Sequence, residues 1–313
     1  MKNRGYGYPD RVSPADEGLT VLAFYALRYT HSTEAEWLRK IEAGQVLRNG
    51  LPAAPGDPLV RGDSLVYRRP PWEEPEAPTD FTTLYEDADV LVLGKPSGLP
   101  VLPGGFFLEN TLLRLVRRRY GDGCSPLHRL GRGTSGAILF TRNARSARAL
   151  AKAMFERRIL KVYLALASGT AMPDAFTVDA PIGPVAHRLP RTVNAYRPGG
   201  RPSLSHVRVV RRLPGRDAAL LEVTIPTGRP HQIRIHLAFA GHPLVGDPLY
   251  GRGGLPRSDG IDEDGGDAGP GATPGATGYL LHSWKIRFPR PATGEAVEVV
   301  APPPAELDPG AAA

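Results

Sequence analysis

Thr227-Gly228-Arg229-Pro230-His231-Gln232-Ile233-Arg234-Ile235-His236 follows a segment, Ala218–Ile225, in which Ala219, Leu221, Val223 and Ile225 alternate with Glu222 and Thr224. Alternation at period two predicts a strand with one buried face. Beyond the stretch, Gly241 and Pro243 are helix-stop signals, while Pro230 suits a first helical position and Thr227 can cap nearby. The expected order is strand, tight turn, short helix. Arg229 at the helix entrance and Arg234 one turn in add positive charge to a helix N-terminus that already favours anions. His231 and His236 are five apart and point to different sides of a helix, which argues against a shared metal ion.

Two more segments carry chemistry. His128-Arg129-Leu130-Gly131-Arg132-Gly133-Thr134-Ser135-Gly136 is a polar, glycine-rich loop that runs into the apolar strand Ala137–Phe140. No lysine follows its glycines and a strand, not a helix, comes next, so it is no nucleoside-triphosphate P-loop. Lys161-Val162-Tyr163-Leu164-Ala165-Leu166 is a strand with Val162, Leu164 and Leu166 on one face and Tyr163 on the other. Between them, residues 143–158 predict a helix capped by Asn143, with Ala147, Leu150, Ala151, Met154 and Phe155 lining one face.

The formal net charge of +7 is unevenly spread. Residues 114–161 hold thirteen basic and two acidic side chains, and residues 185–236 hold ten and two, leaving the rest of the chain acidic. Segregation of this kind builds a positive field and points to a polyanionic partner, most often nucleic acid. One cysteine, Cys124, excludes an intrachain disulfide, a CxxC redox pair and a thiolate zinc site, and fits a reducing cytoplasm. No apolar run approaches a membrane span, and MKNRGYGYPDR does not resemble a signal peptide. The expectation is a cytoplasmic protein with no membrane span and no bound metal.

The length of 313 residues allows two domains. After an N-terminal tail, residues 1–12, the segment 13–70 predicts helix, helix, then short strands: Leu19–Ala26, Ser32–Ala43, and Gln45–Arg48 followed by an Asn49-Gly50 turn and Leu59–Tyr67. That order, with G-x-V-x-x-N-G after the second helix, resembles the S4 RNA-binding module. Residues 71–79 form a Pro/Glu-rich linker, and 80–302 a second, larger domain. Within it, residues 252–278 hold nine glycines and five acids, and are expected as a flexible insertion. Residues 303–313 are expected as a C-terminal tail.

Read together, the segments resemble a family. K-P-x-G-L at Lys95, H-R-L-x-x-x-T-S-G at His128, K-x-Y-L-A-L at Lys161, T-G-R-x-H-Q-I-R-I-H-L-A-x-x-G-H-P-L-x-G-D-x-x-Y-G from Thr227, and L-L-H-S at Leu280 stand in the order found in RNA pseudouridine synthases of the RluA type. The resemblance implies an α+β catalytic domain with a central, mixed, largely antiparallel sheet and an RNA-binding cleft. It implies RNA, ribosomal or transfer, as partner, no cofactor, and a monomer. In the family reaction the C1′–N1 bond of a flipped-out uridine breaks, the uracil turns, and C5 joins C1′. By position, Arg129 matches the arginine that enters the space left by the base, Tyr163 the tyrosine stacked on uracil, and Arg234 the arginine that pairs with a catalytic aspartate. His128, Arg132, Thr134, Ser135, Lys161, Arg229, His231 and Gln232 are candidate RNA contacts.

One position departs from the pattern. The aspartate that should follow H-R-L is Gly131, which cannot act as nucleophile or base. Three readings follow: an active enzyme whose acid is Asp122 or Asp247, or whose base is Tyr163; a noncatalytic RNA-binding or ribosome-assembly protein; or a cleft for a different nucleotide. For the second, Gly131→Asp is expected to create activity.

Overall fold

The computed structural model describes residues 2–187, 191–257 and 273–310, and the chain divides into two units, Met1–Pro75 and Glu76–Ala313. In the first, β1 (Tyr6–Arg11) precedes α1 (Val21–Arg28), α2 (Glu34–Glu42), β2 (Val46–Arg48), β3 (Leu51–Pro52) and β4 (Ser64–Arg69), with strand order β1-β4-β2-β3. The Thr20 hydroxyl accepts from Ala23 N, and Thr33 with Glu36 closes a capping box, so α2 begins one residue after Thr33 instead of at Ser32. Asn49 and Gly50 both take positive φ, as a two-residue hairpin turn requires. Residues 1–12 are not only a tail: Tyr6–Arg11 adds an edge strand to β4, and Pro9 is tolerated there because an edge strand can spare an N–H. Phe24, Tyr25, Trp37, Ile41 and Leu65 form this unit's core.

The second unit is built on a mixed sheet. Its strands are β5 (Thr82–Glu86), β6 (Val90–Lys95), β7 (Ser125–Pro126), β8 (Ser135–Thr141), β9 (Leu160–Ser168), β10 (Ala175–Asp179), β11 (Ile182–His187), β12 (Arg191–Tyr196), β13 (Leu204–Leu213), β14 (Ala218–Thr224), β15 (Leu281–Pro289) and β16 (Ala296–Val300). The order β10-β13-β14-β9-β15-β8-β6-β5 carries β16 on β15 and β7 on β8, while β11 and β12 form a separate hairpin. All pairings in the large sheet are antiparallel except β15 with β8. With α3 (Leu112–Tyr120), α4 (Ala144–Phe155) and α5 (Gln232–Phe239), this is the expected α+β fold.

The parallel pair positions the site. Because β8 and β15 run the same way with His282 beside Ser135, the segments entering them, 128–134 and 277–280, emerge at the same edge of the sheet. Gly136 makes that pairing possible, since a Cβ there would strike the Ser283 backbone.

Several expectations need correction. Strand β14 is buried on both faces, with Ala219, Leu221 and Val223 in one cluster and Ala218 and Leu220 in another, because it lies between β13 and β9 with both sides covered. Asn143 does cap α4, but the helix buries Ser146, Leu150 and Ala153, while Phe155 is 89% exposed at its last turn. Residues 303–313 are not simply a tail, since Ala305–Leu307 forms a short helical turn whose Leu307 packs with Leu164 and Leu220. Of the expected insertion 252–278, residues 258–272 lie outside the described residues, and Gly254 is buried. Among the described residues no helix is long and apolar enough to cross a membrane.

These burials predict that Leu150→Ala lowers unfolding free energy by about 2–5 kcal/mol, whereas Phe155→Ser changes it by less than about 0.5 kcal/mol. Urea titration of the two variants checks the assignment of the inner face.

Candidate active site

Helix α5 is buried on every side, from Gln232 to Ala238, and its polar side chains therefore need internal partners. Gln232 accepts from Thr227 Oγ1 and Arg229 N and donates to Leu204 O and Ser205 Oγ. His236 pairs with Ser205 Oγ and Ala180 O. These contacts tie the helix to β13 and the segments beside it. The helix starts later than expected: Thr227 and Pro230 precede it, and His231 is the N-cap in a left-handed conformation, φ 58°.

Arg234 is the centre of the site. It is 2% exposed and donates through Nε and Nη2 to the two oxygens of Asp247, both at 2.7 Å. Asp247 Oδ1 also accepts from Leu249 N and Tyr250 N, so the carboxylate organises the loop that holds it. Burial opposes the Arg234 charge, but the hydrogen bonds and the charge of Asp247 outweigh it and hold the guanidinium above its ordinary pKa. The guanidinium lies 4.2 Å from the ring centre of Tyr279 and 5.0 Å from that of Tyr250. Its remaining nitrogen, Nη1, is buried without a hydrogen-bond partner.

The 128–134 loop meets this cluster. Gly131 O accepts from Thr134 N, which closes a turn, and Thr134 Oγ1 is 3.3 Å from Tyr279 Oη. Leu130 is buried, which turns its neighbour Arg129 outward, and the charge of Arg129 is felt at His231. His231 shares a hydrogen bond with Tyr250 Oη. Burial first, then the Arg234 and Arg129 charges, push its pKa down to about 4. His128 accepts from Leu139 N, and burial, helped by the Lys161 charge, lowers it to about 3. Lys161 is buried with a lowered pKa, and a Cβ on Gly228 would lie 3.2 Å from its Nζ.

Tyr163 sits on β9 with the cluster on its side of the sheet, 6% exposed, and burial pushes its phenol up to about 12 against the effect of a Ser283 hydrogen bond. A phenol raised that far ionises only at higher pH, which weighs against Tyr163 as the replacement base. The two expected acids lie in different surroundings. Asp122 is an exposed turn residue after α3, at the opposite end of β8 from Gly131, roughly 20 Å along the strand. Asp247 is at the centre, where its buried oxygens accept from Arg234 and from two backbone N–H groups.

Other candidate RNA contacts also have partners within the protein. Gln232 is structural. Ser135 hydrogen-bonds His282, Arg132 donates to Gly98 O and lies over Phe107, and Arg229 donates to Pro202 O. Two residues of the site were not anticipated, Tyr250 and Tyr279, although both stand in or beside the quoted motifs, in G-D-x-x-Y-G and just before L-L-H-S. A cavity of about 590 Å³ lined by Phe81, Lys95, Ser97, Tyr279 and His282 excludes Arg129, Tyr163 and Arg234 and shares Tyr279 as a wall. Among the described residues no three His, Cys, Asp or Glu side chains are grouped to hold a metal ion.

Comparison with known proteins places this geometry. Residues 89–239 match the family model described as RNA pseudouridylate synthase. An uncharacterized RNA pseudouridine synthase of Synechocystis sp. is 40% identical, over 92% of this chain and 95% of its own length. RNA pseudouridine synthase 5 of Arabidopsis thaliana is 38% identical over 96% and 94%. Among solved structures, Human RNA Pseudouridylate Synthase Domain Containing 1 superposes with a TM-score of 0.56 at 26% identity, covering 75% of this chain and 89% of that one.

Two predictions follow from the buried charges. Asp247→Asn strands Arg234 and lowers stability by about 3–5 kcal/mol, read by urea unfolding; an unchanged midpoint contradicts the account of the pair. His128 and His231, whose folded pKa values lie below the ordinary 6.5, hold full stability above that value and lose it as pH falls from 6.5 toward 4. The loss is on the order of 3 kcal/mol per histidine, and denaturation midpoints that stay flat from pH 7 to 4.5 rule it out.

Proposed function

We propose, from the premise that the chain belongs to the RNA pseudouridylate synthase family, that it converts a flipped-out uridine of a structured RNA, ribosomal or transfer, to pseudouridine. The observation that carries the reading is Arg234: a cation fixed in a dry interior by Asp247, with one nitrogen still unpaired, beside the 128–134 loop. Such a donor is held ready for charge that develops on a substrate and costs no reorganisation when it does. Arg129, turned outward by the burial of Leu130, takes the space left by the flipped base. Tyr163 forms the apolar floor against which the uracil rests. Extrusion of the base costs a few kcal/mol, which an inserted cation and an aromatic surface offset. The reaction uses no metal or organic cofactor, and the enzyme acts as a cytoplasmic monomer. The N-terminal unit serves as an S4-like RNA-binding module.

One observation favours a second reading. Gly131 offers no carboxylate, and a protein that binds RNA through the same cleft without reacting is consistent with that loss. The structure also changes how this reading is tested. A side chain at position 131 meets the Tyr279 hydroxyl, so Gly131→Asp requires Tyr279 to move, and the substitution is best tested together with a change at Tyr279.

Pseudouridine formation frees the hydrogen at C5 of uracil. Tritium release from C5-labelled RNA, prepared from cells lacking this gene, is expected for the wild type and reduced at least about 100-fold by Arg129→Ala, in the range typical of a lost catalytic contribution. RNA affinity is expected to fall linearly with salt on logarithmic axes as phosphate contacts are screened. A wild type that releases no tritium while binding RNA with this salt dependence selects the noncatalytic reading.

A further inference from the structure

We propose that the phenolic oxygen of Tyr279 is the group this chain presents to the reacting ribose in place of a carboxylate at position 131, an inference that rests on the pseudouridine-forming reading above. A Cβ built on Gly131 would lie 2.6 Å from Tyr279 Oη. In an aspartate the carboxylate oxygens stand about 2.4 Å from their own Cβ, from standard bond lengths and angles. The tyrosine oxygen therefore stands about as far from that Cβ as a carboxylate oxygen would, approached from the segment before β15 instead of from the loop. A side chain at 131 and the phenol in this position do not fit together: glycine at 131 leaves room for the phenol.

The surroundings fix that oxygen and give it polar company. Tyr279 is 3% exposed, its hydroxyl shares a hydrogen bond with Thr134 Oγ1, and its ring lies on the Arg234 guanidinium. Arg234 spends two nitrogens on Asp247 and keeps Nη1 without a partner, although a buried N–H is rarely left so. A fixed oxygen with an unspent guanidinium N–H near its ring offers the two parts that base catalysis of this isomerisation needs: an acceptor for a ribose proton and a donor for charge on the displaced uracil.

The step balances as follows. Ionised Tyr279 Oη takes the proton from ribose C2′, the C2′–H electron pair becomes the C1′=C2′ bond, and the C1′–N1 pair leaves with uracil. After the uracil turns, Tyr279 returns the proton to C2′ while the uracil pair at C5 bonds to C1′. The C5 proton then passes to water and N1 takes one from water, which leaves the phenolate as it began.

The pH profile separates this base from a carboxylate. Carboxylates are ionised above about pH 5, so a carboxylate base gives a flat rate from there upward, whereas a phenolate base gives a rate that climbs with pH toward the phenol range. The charged and titratable groups around Tyr279 are Arg234 on α5, Asp247 and Tyr250 beyond it, and Lys95, His282, Asp80 and Glu306 on the shared cavity wall. Burial, with the Arg132 charge, brings Lys95 down to about 7, so the climb must be assigned by substitution at Tyr279 itself.

The experiment is single-turnover tritium release from C5-labelled RNA between pH 6 and 9, with wild type, Tyr279→Phe, and protein carrying the more acidic 3-fluorotyrosine in place of Tyr279. The expected result is a wild-type rate rising about tenfold per pH unit, a limb displaced to lower pH by the fluorinated residue, and a loss of at least about 100-fold in Tyr279→Phe with RNA affinity unchanged within twofold. A Tyr279→Phe protein that keeps its rate, or a limb that the fluorinated residue does not move, overturns the assignment and leaves the enzyme reading intact. A silent wild type overturns both. Activity gained by the double variant Gly131→Asp/Tyr279→Leu in that case shows a competent cleft from which the acid alone was lost.

Discussion

A buried ion pair organises this site. Arg234 and Asp247 have left water almost completely, and the cost of that transfer is offset only because every Asp247 contact is well placed: two guanidinium nitrogens and two backbone N–H groups. The pair joins α5 to the loop after it, and the rings of Tyr250, from that loop, and Tyr279 lie against the guanidinium. Replacing a buried ion pair by apolar residues of similar volume is often neutral for stability, so this pair is weak evidence for a folding role and fits a functional one. What Arg234 provides is a fixed positive charge in a medium that screens it weakly.

The sheet brings distant residues to that charge. Parallel pairing of β8 with β15 places the entry to one strand beside the entry to the other, so Gly131 and Tyr279 meet although 148 positions separate Gly131 from Tyr279 in the sequence. Gly136 permits the approach by offering no Cβ against Ser283. Loops that carry chemistry are here mounted on a strand pair whose neighbours, β6 and β9, are buried on both faces.

Much of this was legible in sequence where local rules decide. The Asn49-Gly50 turn, the Asn143 cap, the strand before Thr227 and the helix containing Arg234 all follow from neighbours within a few residues. The motifs from Lys95 to Leu280 also led to the correct family and fold. What escaped depends on tertiary partners. The strand role of Tyr6–Arg11 exists only because β4 offers an edge, and Phe155 has helical spacing but lies beyond the sheet that covers Leu150. Gln232 and Ser135 look like exposed polar contacts, yet both are consumed by internal hydrogen bonds. Position 131 could be recognised as lacking an acid, but not as a place beside a hydroxyl from the segment that enters β15.

The absent side chain is thus not an empty space. Gly131, Thr134, Tyr279 and Arg234 form a packed polar unit that accounts for the glycine as a steric requirement of this site. The central claim remains catalytic: the protein makes pseudouridine in RNA. Its most direct measurement is a transcriptome-wide pseudouridine map, by carbodiimide adduct sequencing, of cells with the gene, without it, and without it but complemented by the wild-type protein. The account predicts that at least one modified uridine in ribosomal or transfer RNA disappears on deletion and returns on complementation. A map identical in all three contradicts it.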